Sequence, residues 1–362
     1  MRIPPGRLRL LEGCIRIDAS YGEGGGQIVR TACALSALTG LAVQLSQIRA
    51  HRRQPGLRPQ HCAAVRGLAQ LCGATATPLK PGLAELTFTP GTLQGKELSL
   101  DTGTAGSVGL VLQGLLLASL GLSAPTRYLV RGGTDVPFGP SSDYIQSVKR
   151  RMLSKMGYRF ELRLIRRGYY PKGGGIVEAT VKPPERSLLT PLHLPPPSAA
   201  AACCGISFAS NELAPRRVAE RQRRWAAKKL TEYFHVPAKI SDDYGASHSP
   251  GSGLLVWLEA GDSILGASSL GRAGKASEQV AEEATEHLLK TYHSQASVDP
   301  WLGDQILPYL ALSSGPSKIS VPYLTRHMQT NMWLIRKFLN VRFEVEDQGS
   351  FVSVGCFPED VG

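Results

Sequence analysis

One order of hydrophobic patterns recurs three times along this chain, and that recurrence limits its fold more than any single motif does. From residue 14, alternating and 3.6-residue apolar spacing predicts strand 14–18, helix 27–38, strand 42–48, helix 59–72 and strands 75–79 and 84–89. A second pass predicts strand 97–101, helix 107–120, strand 126–131, helix 141–156 and strands 158–165 and 175–182. A third, shorter pass has helix 302–312, strand 317–321, helix 326–339 and strands 341–346 and 351–356. Residue identity between the passes is low, so what repeats is the pattern. Three αβαββ units would stack their sheets and helices into one large domain of α/β (α+β) class, over 1–189 and 297–362.

The region between the second and third passes differs. It begins with the proline-rich "TPLHLPPPSAAAA" at 190–202, which suits a boundary or an exposed connection. Strand 204–210, a long basic helix 215–234, strands 253–259 and 263–268 and helix 278–292 follow, and predict an inserted smaller α/β domain over 190–296. The basic helix carries "RRVAERQRRWAAKK", which reads first as a solvated amphipathic face and second as an RNA contact.

A chain of 362 residues with 42% hydrophobic content has enough apolar material for a sizeable core and more than one domain. Its 41 Lys and Arg against 29 Asp and Glu give +12, which favours a polyanionic partner, nucleic acid foremost, with solvated surface charge as the plainer reading. Seven cysteines at 14, 33, 62, 72, 203, 204 and 356, without C-x-x-C spacing, indicate neither a disulfide framework nor a structural zinc site. A reducing compartment fits them best. The N-terminal "MRIPPGRLRLLEG" lacks the apolar run of a secretory signal. The most apolar stretch, 108–124, is broken by Gln113, Ser119, Ser123 and three glycines. It falls short of the roughly 18 uninterrupted apolar residues of a membrane span, so no membrane partner is expected.

Four motifs carry possible chemistry. In "YGEGGGQIVR", 21–30, glycines just before a helix let backbone amides approach an anion. Neither the P-loop nor the dinucleotide fingerprint is present. Glu23 would repel a phosphate there unless a cation or a positively charged group stands between them, and a tight turn with a helix-dipole glutamate is the alternative. "IRAHRRQPGLRPQH", 48–61, gathers Arg49, Arg52, Arg53, Arg58, His51 and His61 in a loop stiffened by Pro55, Gly56 and Pro59. An RNA or nucleotide phosphate site is the favoured reading, an exposed basic loop the other. Gln113 is a lone amide in an apolar helix, to be satisfied by a ligand or by backbone. Last comes "LTRHMQTN", 324–331, which puts His327 in the first turn of a helix that otherwise reads as packed. Most helical histidines are structural, but a neutral imidazole is a ready nucleophile at pH 7, and no K-x-D-G lysine signature competes with it.

From about Ile15 to Cys356 these residues closely resemble the RNA 3'-terminal phosphate cyclase family. The resemblance rests on "YGEGGGQIVR", "IRA" followed by "PGLRPQH", "GTAGSVGLVLQ", "GGTDVPFGP", "RGYYPKGGG", "SSLG", "DQ" and "HMQTN", in that order. It implies three related α/β units with an inserted smaller domain, and a nucleotidyl transfer in which His327 becomes bonded to AMP from ATP. The AMP then passes to an RNA 3'-terminal phosphate, and the neighbouring 2'-hydroxyl closes a 2',3'-cyclic phosphate.

The resemblance further implies catalytic roles for His327 and Glu23, with Glu23 near a divalent cation, magnesium or manganese. Gln113, Pro137, Trp301, Leu302, Gly303, Asp304 and Gln305 match nucleotide-binding positions, with Asp304 the implied orienter of His327. Arg30, Arg49, Arg52, Gln60 and His61 match positions lining the phosphate and the RNA end. Ala19, His51 and Trp301 depart from the family's commoner glycine, glycine and tyrosine. Trp301 keeps an aromatic surface but loses a hydroxyl. The implied setting is cytoplasmic, or nuclear for a eukaryotic chain, and the oligomeric state stays open. A cyclase-like RNA scaffold without catalysis is the alternative, against which the presence of both His327 and Glu23 argues. Enolpyruvyl transferases share the repeated architecture but are not expected to need the HMQTN histidine.

Overall fold

The computed structural model describes residues 3–9 and 13–360. Parts of the N-terminal stretch considered above, and the last two residues of 297–362, lie outside the described residues. The first unit comprises β1 (Ile15–Asp18), α1 (Gly26–Thr39), β2 (Val43–Ser46), α2 (Pro59–Cys72), β3 (Thr75–Ala76) and β4 (Leu86–Thr89). The second comprises β5 (Leu98–Asp101), α3 (Val108–Ala118), β6 (Thr126–Gly132), α4 (Ser142–Tyr144), α5 (Arg150–Lys155), β7 (Phe160–Arg166) and β8 (Gly175–Val181). A π-turn over Ile145–Lys149 joins α4 to α5. The insert holds β9 (Ala202–Ser210), α6 (Val218–Phe234), β10 (Ala238–Gly245), β11 (Ser252–Ala260), β12 (Ser263–Leu270) and α7 (Ser277–His293). The third unit follows with α8 (Pro300–Ala311), β13 (Ser317–Val321), α9 (Arg326–Phe338), β14 (Val341–Asp347) and β15 (Val352–Pro358).

The sheets show why the pattern recurs. In β1-β2-β4-β3 and β5-β6-β8-β7 the first strand runs parallel to the second, and the fourth pairs antiparallel between the second and third. The third sheet, β13-β15-β14, lacks a first strand after the insert. That place is taken by residues 192–194, which the sequence reading put at the start of the insert. His193 bridges Lys318 in parallel, the Leu194 amide donates to the Lys318 carbonyl at 3.0 Å, and the Lys318 amide donates to that of Leu192 at 2.8 Å. Part of the proline-rich stretch expected as an exposed connection therefore lies along the third sheet.

One further strand escaped the sequence reading. β10 lies at a sheet edge, parallel to β9, and its residues are mostly half-buried or exposed, so "AKISDDYG" carries no clear apolar alternation. β11 shows how the insert is attached. Leu254, Val256 and Leu258 enter a small cluster with Leu230, Leu265 and Leu288, whereas Leu255 turns to the opposite face and joins the main core.

Helix α1 is the axis of that main core. It is buried continuously from Gln27 to Ala37 and packs against α2, α3 and α9, one helix from each unit. Its Thr-Ala-Cys-Ala stretch, 31–34, lets three neighbours approach closely. Its N-terminal end therefore meets elements of all three units, and the candidate site lies there.

Candidate active site

Helix α1 starts behind Gly25, which has no side chain to cap it, so the amides of its first turn point out of the helix end without intrahelical partners. Helix α9 starts beside it under a different arrangement. Thr325 caps it, its hydroxyl accepting from the Met328 amide at 2.9 Å and donating to an Asp304 carboxylate oxygen. The cap places His327 in the first turn of α9, facing the start of α1.

Both imidazole nitrogens are engaged. Nε2 lies 2.7 Å from Glu23 Oε2, and Nδ1 hydrogen-bonds the Gln27 side-chain oxygen. The Gln27 amide nitrogen also donates to the His327 carbonyl at 3.3 Å, so one side chain of α1 holds the histidine at ring and backbone. A carbonyl oxygen accepts only from Nδ1–H, which leaves Nε2 as the nitrogen with a lone pair once the ring is neutral.

Glu23 is gripped as firmly. Arg52 pairs with its second carboxylate oxygen and donates to its backbone carbonyl at 3.1 Å. The Glu23 amide donates to the Thr330 hydroxyl at 3.4 Å, and that hydroxyl donates to the Arg326 carbonyl at 2.7 Å. Gly22, at φ 61°, is what permits this docking, since any Cβ there would run into the Thr330 hydroxyl. The glycine run thus seats Glu23 against α9, and Arg52 and His327 are the positively charged neighbours that a carboxylate there requires.

Burial is the largest single influence on both members of the pair and opposes both charges. Their mutual hydrogen bond and charge, with Arg52 on Glu23 and Asp304 on His327, outweigh it. Glu23 is held below the usual carboxylate range and His327 above the usual histidine value. Asp304 itself is pushed up to about 6, chiefly by burial. Its carboxylate meets Thr325 and its backbone carbonyl accepts from the Asn331 side-chain Nδ2 at 2.7 Å. The orienting contact expected from Asp304 is made instead by Gln27, because Asp304 is spent on the helix cap.

A second cluster adjoins the first. His61 is buried, its Nδ1 accepts from the Arg58 amide at 3.0 Å, and its ring lies where a Cβ on Gly26 would be. Burial first, then Arg30, Arg49 and Arg58, push its pKa well down, so the ring is neutral with its proton on Nε2. Arg30 is buried with no hydrogen-bond partner for Nε and no carboxylate pairing among the described residues. Burial lowers its pKa to about 10. Gln60 Oε1 accepts from the Ser107 amide at 2.8 Å, which ties the second unit to this cluster. Arg49 donates to the carbonyls of Gln54 at 2.7 Å and Gly56 at 3.0 Å, and so closes its own loop. Open helix amides, a neutral histidine donor and an arginine with no carboxylate partner among the described residues are groups that can receive an anion.

The remaining expected residues are spread wider. Trp301 is partly exposed, edge-on to His287 with ring centroids 5.9 Å apart. Gln305 donates to the Trp301 carbonyl at 3.0 Å while its Oε1 is buried without a partner. Leu302 is wholly in the core and Gly303 backs onto Val321 and Met328, so neither side faces the histidine. Gln113 is half-buried on α3 and Pro137 is exposed in a loop; neither hydrogen-bonds the His327 cluster. The sequence reading did not single out Gln27, Thr325, Thr330 or Asn331. The Thr325 cap was readable from its position before a helix, but the reach of Gln27 to residue 327 is a tertiary fact without a local signal.

Repeated α+β units that converge a charge-paired histidine and an anion receptor on one helix end describe an enzyme acting on phosphate groups. The comparisons with known proteins agree. A family model described as RNA 3'-terminal phosphate cyclase matches residues 21–345. The RNA 3'-terminal phosphate cyclase of Pyrococcus furiosus is 45% identical over 333 residues, covering 92% of this chain and 95% of that protein. That of Thermococcus gammatolerans is 43% identical, covering 92% and 95%. That of Methanopyrus kandleri is 41% identical over 352 residues, covering 95% and 99%. The chain belongs to the RNA 3'-terminal phosphate cyclase family. Among solved structures, the enolpyruvyl transferase NikO from Streptomyces tendae matches 60% of this chain and 37% of its own at 15% identity and a TM-score of 0.27, too low to bear on the argument. Among the described residues no helix is long and apolar enough to cross a membrane.

Proposed function

We propose that this protein converts an RNA 3'-terminal phosphate to a 2',3'-cyclic phosphate using ATP, through a covalent histidine-AMP intermediate on His327. The observation that carries the reading is His327 itself, fixed through Nδ1 by Gln27 and paired at Nε2 with Glu23, beside a buried arginine that has no counterion among the described residues. A noncatalytic scaffold leaves that arrangement without a purpose.

In the resting site the charged ring donates its Nε2–H to the Glu23 carboxylate, and release of that proton to solvent frees the lone pair. His327 Nε2 then attacks the α-phosphorus of ATP as the bond to pyrophosphate breaks. A terminal-phosphate oxygen of RNA, seated on Arg30, His61 and the α1 amides, takes the AMP as the N–P bond breaks. The 2'-hydroxyl attacks the activated phosphorus and gives its proton to water as the anhydride bond breaks and AMP leaves. Ring closure gains from the adjacency of that hydroxyl, and the fixed donors stabilise charge as it develops.

Only one carboxylate, that of Glu23, adjoins Nε2, and no group of three or more potential metal ligands occurs among the described residues. That donor set suits a small, hard cation such as magnesium or manganese, clad mainly in nucleotide oxygens and water. Once the Nε2 proton has left, Glu23 Oε2 would be free to hold it, and such an ion would supply neutralisation of phosphate charge. Trp301, Gln305 and Gln113 would receive the nucleotide, and Leu302 and Gly303 would contribute through backbone. The seven free cysteines support a cytoplasmic setting.

Incubation with α-labelled ATP and either cation should give an acid-labile label on His327 by mass spectrometry. It should be absent in His327→Ala and discharged by 3'-phosphorylated RNA but not by 3'-hydroxyl RNA. A wild-type protein that stays unlabelled with both cations sinks the proposal.

A further inference from the structure

Two aromatic side chains next to this site face solvent with no structural task. Phe138 is fully exposed and its backbone lies at φ 65°, a conformation that bulky residues seldom adopt. Tyr170 is 72% exposed, while Tyr169 beside it is buried. Both stand on a ridge of three interlocked loops. The Gly133 amide donates to the Gly106 carbonyl at 2.8 Å, and the Thr134 and Asp135 amides donate to the Gly168 carbonyl at 2.9 and 3.2 Å. Gly173 packs so closely on Ala105 that a Cβ would come within 2.7 Å of its backbone, and the Lys172 amide donates to Ser249 Oγ at 3.1 Å. The ridge runs into the anion receptor, because the Ser107 amide at its foot is the one that Gln60 holds.

We propose that this ridge is the track for single-stranded RNA upstream of the two 3'-terminal nucleotides, with Phe138 and Tyr170 as stacking surfaces for its bases. The inference rests on the function proposed above. Single-stranded RNA offers a π face and an anionic phosphate at every nucleotide, so it calls for exposed rings with cations between them. Lys172, exposed two residues after Tyr170 and without an ion pair among the described residues, supplies one such cation, and the chain carries +12 overall. Of the nearby carboxylates, Asp135 is buried and both it and Asp143 pair with Arg167, which offsets part of their charge. A rigid ridge loses little freedom when a strand lies on it. Such stacking is indifferent to sequence but sensitive to length.

The test uses the full chain with labelled RNA dinucleotides and single strands of about ten nucleotides, a length on the scale of single-strand sites, all with the same 3'-phosphorylated end. Binding is read by fluorescence anisotropy, cyclisation by kcat/KM, and the nucleotide step by the KM for ATP in self-adenylylation. Wild type should bind the longer strand more tightly. The Phe138→Ala/Tyr170→Ala double variant should lose about tenfold or more of that preference, the effect of one lost stacked base, with dinucleotide Kd and ATP KM unchanged. Phe138→Trp should restore part of it. An unaltered length preference in the double variant overturns the inference and leaves the rings to a protein partner, and a rise in ATP KM alone assigns Phe138 to the adenine instead. Because binding is measured without ATP, a wild type that fails to self-label refutes the catalytic reading without masking this result.

Discussion

Two arginines are equally hidden in this protein, and their surroundings are opposite. Arg167, 4% exposed, lies 3.2 Å from Asp135, 2.7 Å from Asp143 and 2.7 Å from Asp243, with its guanidinium 4.1 Å from the Phe208 ring centroid. Burial opposes its charge, but the carboxylates more than offset that and raise its pKa. Arg30, 5% exposed, has no such company, and burial alone acts on it. A compensated buried charge fastens pieces of a fold together, here the second unit to the insert. An uncompensated one costs several kcal/mol unless an anion arrives. The contrast separates architecture from receptor more sharply than exposure or charge taken alone.

The largest effect that tests this contrast is on stability. Arg167→Ala should strand buried carboxylates and destabilise the protein by about 3–5 kcal/mol, as read from urea unfolding. Arg30→Met in the same assay should be neutral or stabilising, while kcat/KM for cyclisation drops about 100-fold, the loss typical of a donor aimed at developing charge. Inorganic phosphate should raise the Tm of wild type and leave that of Arg30→Met unmoved. Equal losses of stability in the two variants would break the comparison. Gln27→Ala should slow self-adenylylation by about 10–100-fold with little change in ATP KM, as expected when the outer partner of a working histidine is lost.

The smallest effect is in pH. Self-adenylylation needs a neutral ring at His327, whose pKa is raised, so kcat/KM should climb with pH through a limb above the ordinary histidine value. Glu23→Gln should move that limb to lower pH. The same pairing helps the fold only while the ring is charged, and that help is lost as pH rises through the raised pKa.

The repeat of strands and helices was legible because each unit buries one face and so shows its period. β10 was not, since an edge strand that buries little has no period to show. The strandlike run before the insert was hidden by prolines and by its distance from its partner, Lys318. Within the site, the residues with distinctive chemistry, His327, Glu23, Arg52 and His61, could be chosen from the sequence. The structure brings His327, Glu23 and Arg52 into contact and sets His61 against the start of α1. Which partner touched which nitrogen could not be chosen. Gln27 and Asp304 are both polar and both within reach in principle, and only the cap at Thr325 decides that Asp304 is already engaged.

The splice in the third unit bears on how the protein is made. A nascent chain releases residues 189–194 from the ribosome well before Lys318, so that extended run is made before its partner while the whole insert is translated. Such an unpaired run invites pairing with the wrong chain. The insert has its own small core, and its entry and exit lie on the same strand. Leu194 bonds Lys318, and the Val298 amide donates to the Ser320 carbonyl at 3.1 Å. A folded insert therefore holds the chain that enters it and the chain that leaves it against one strand of the last unit.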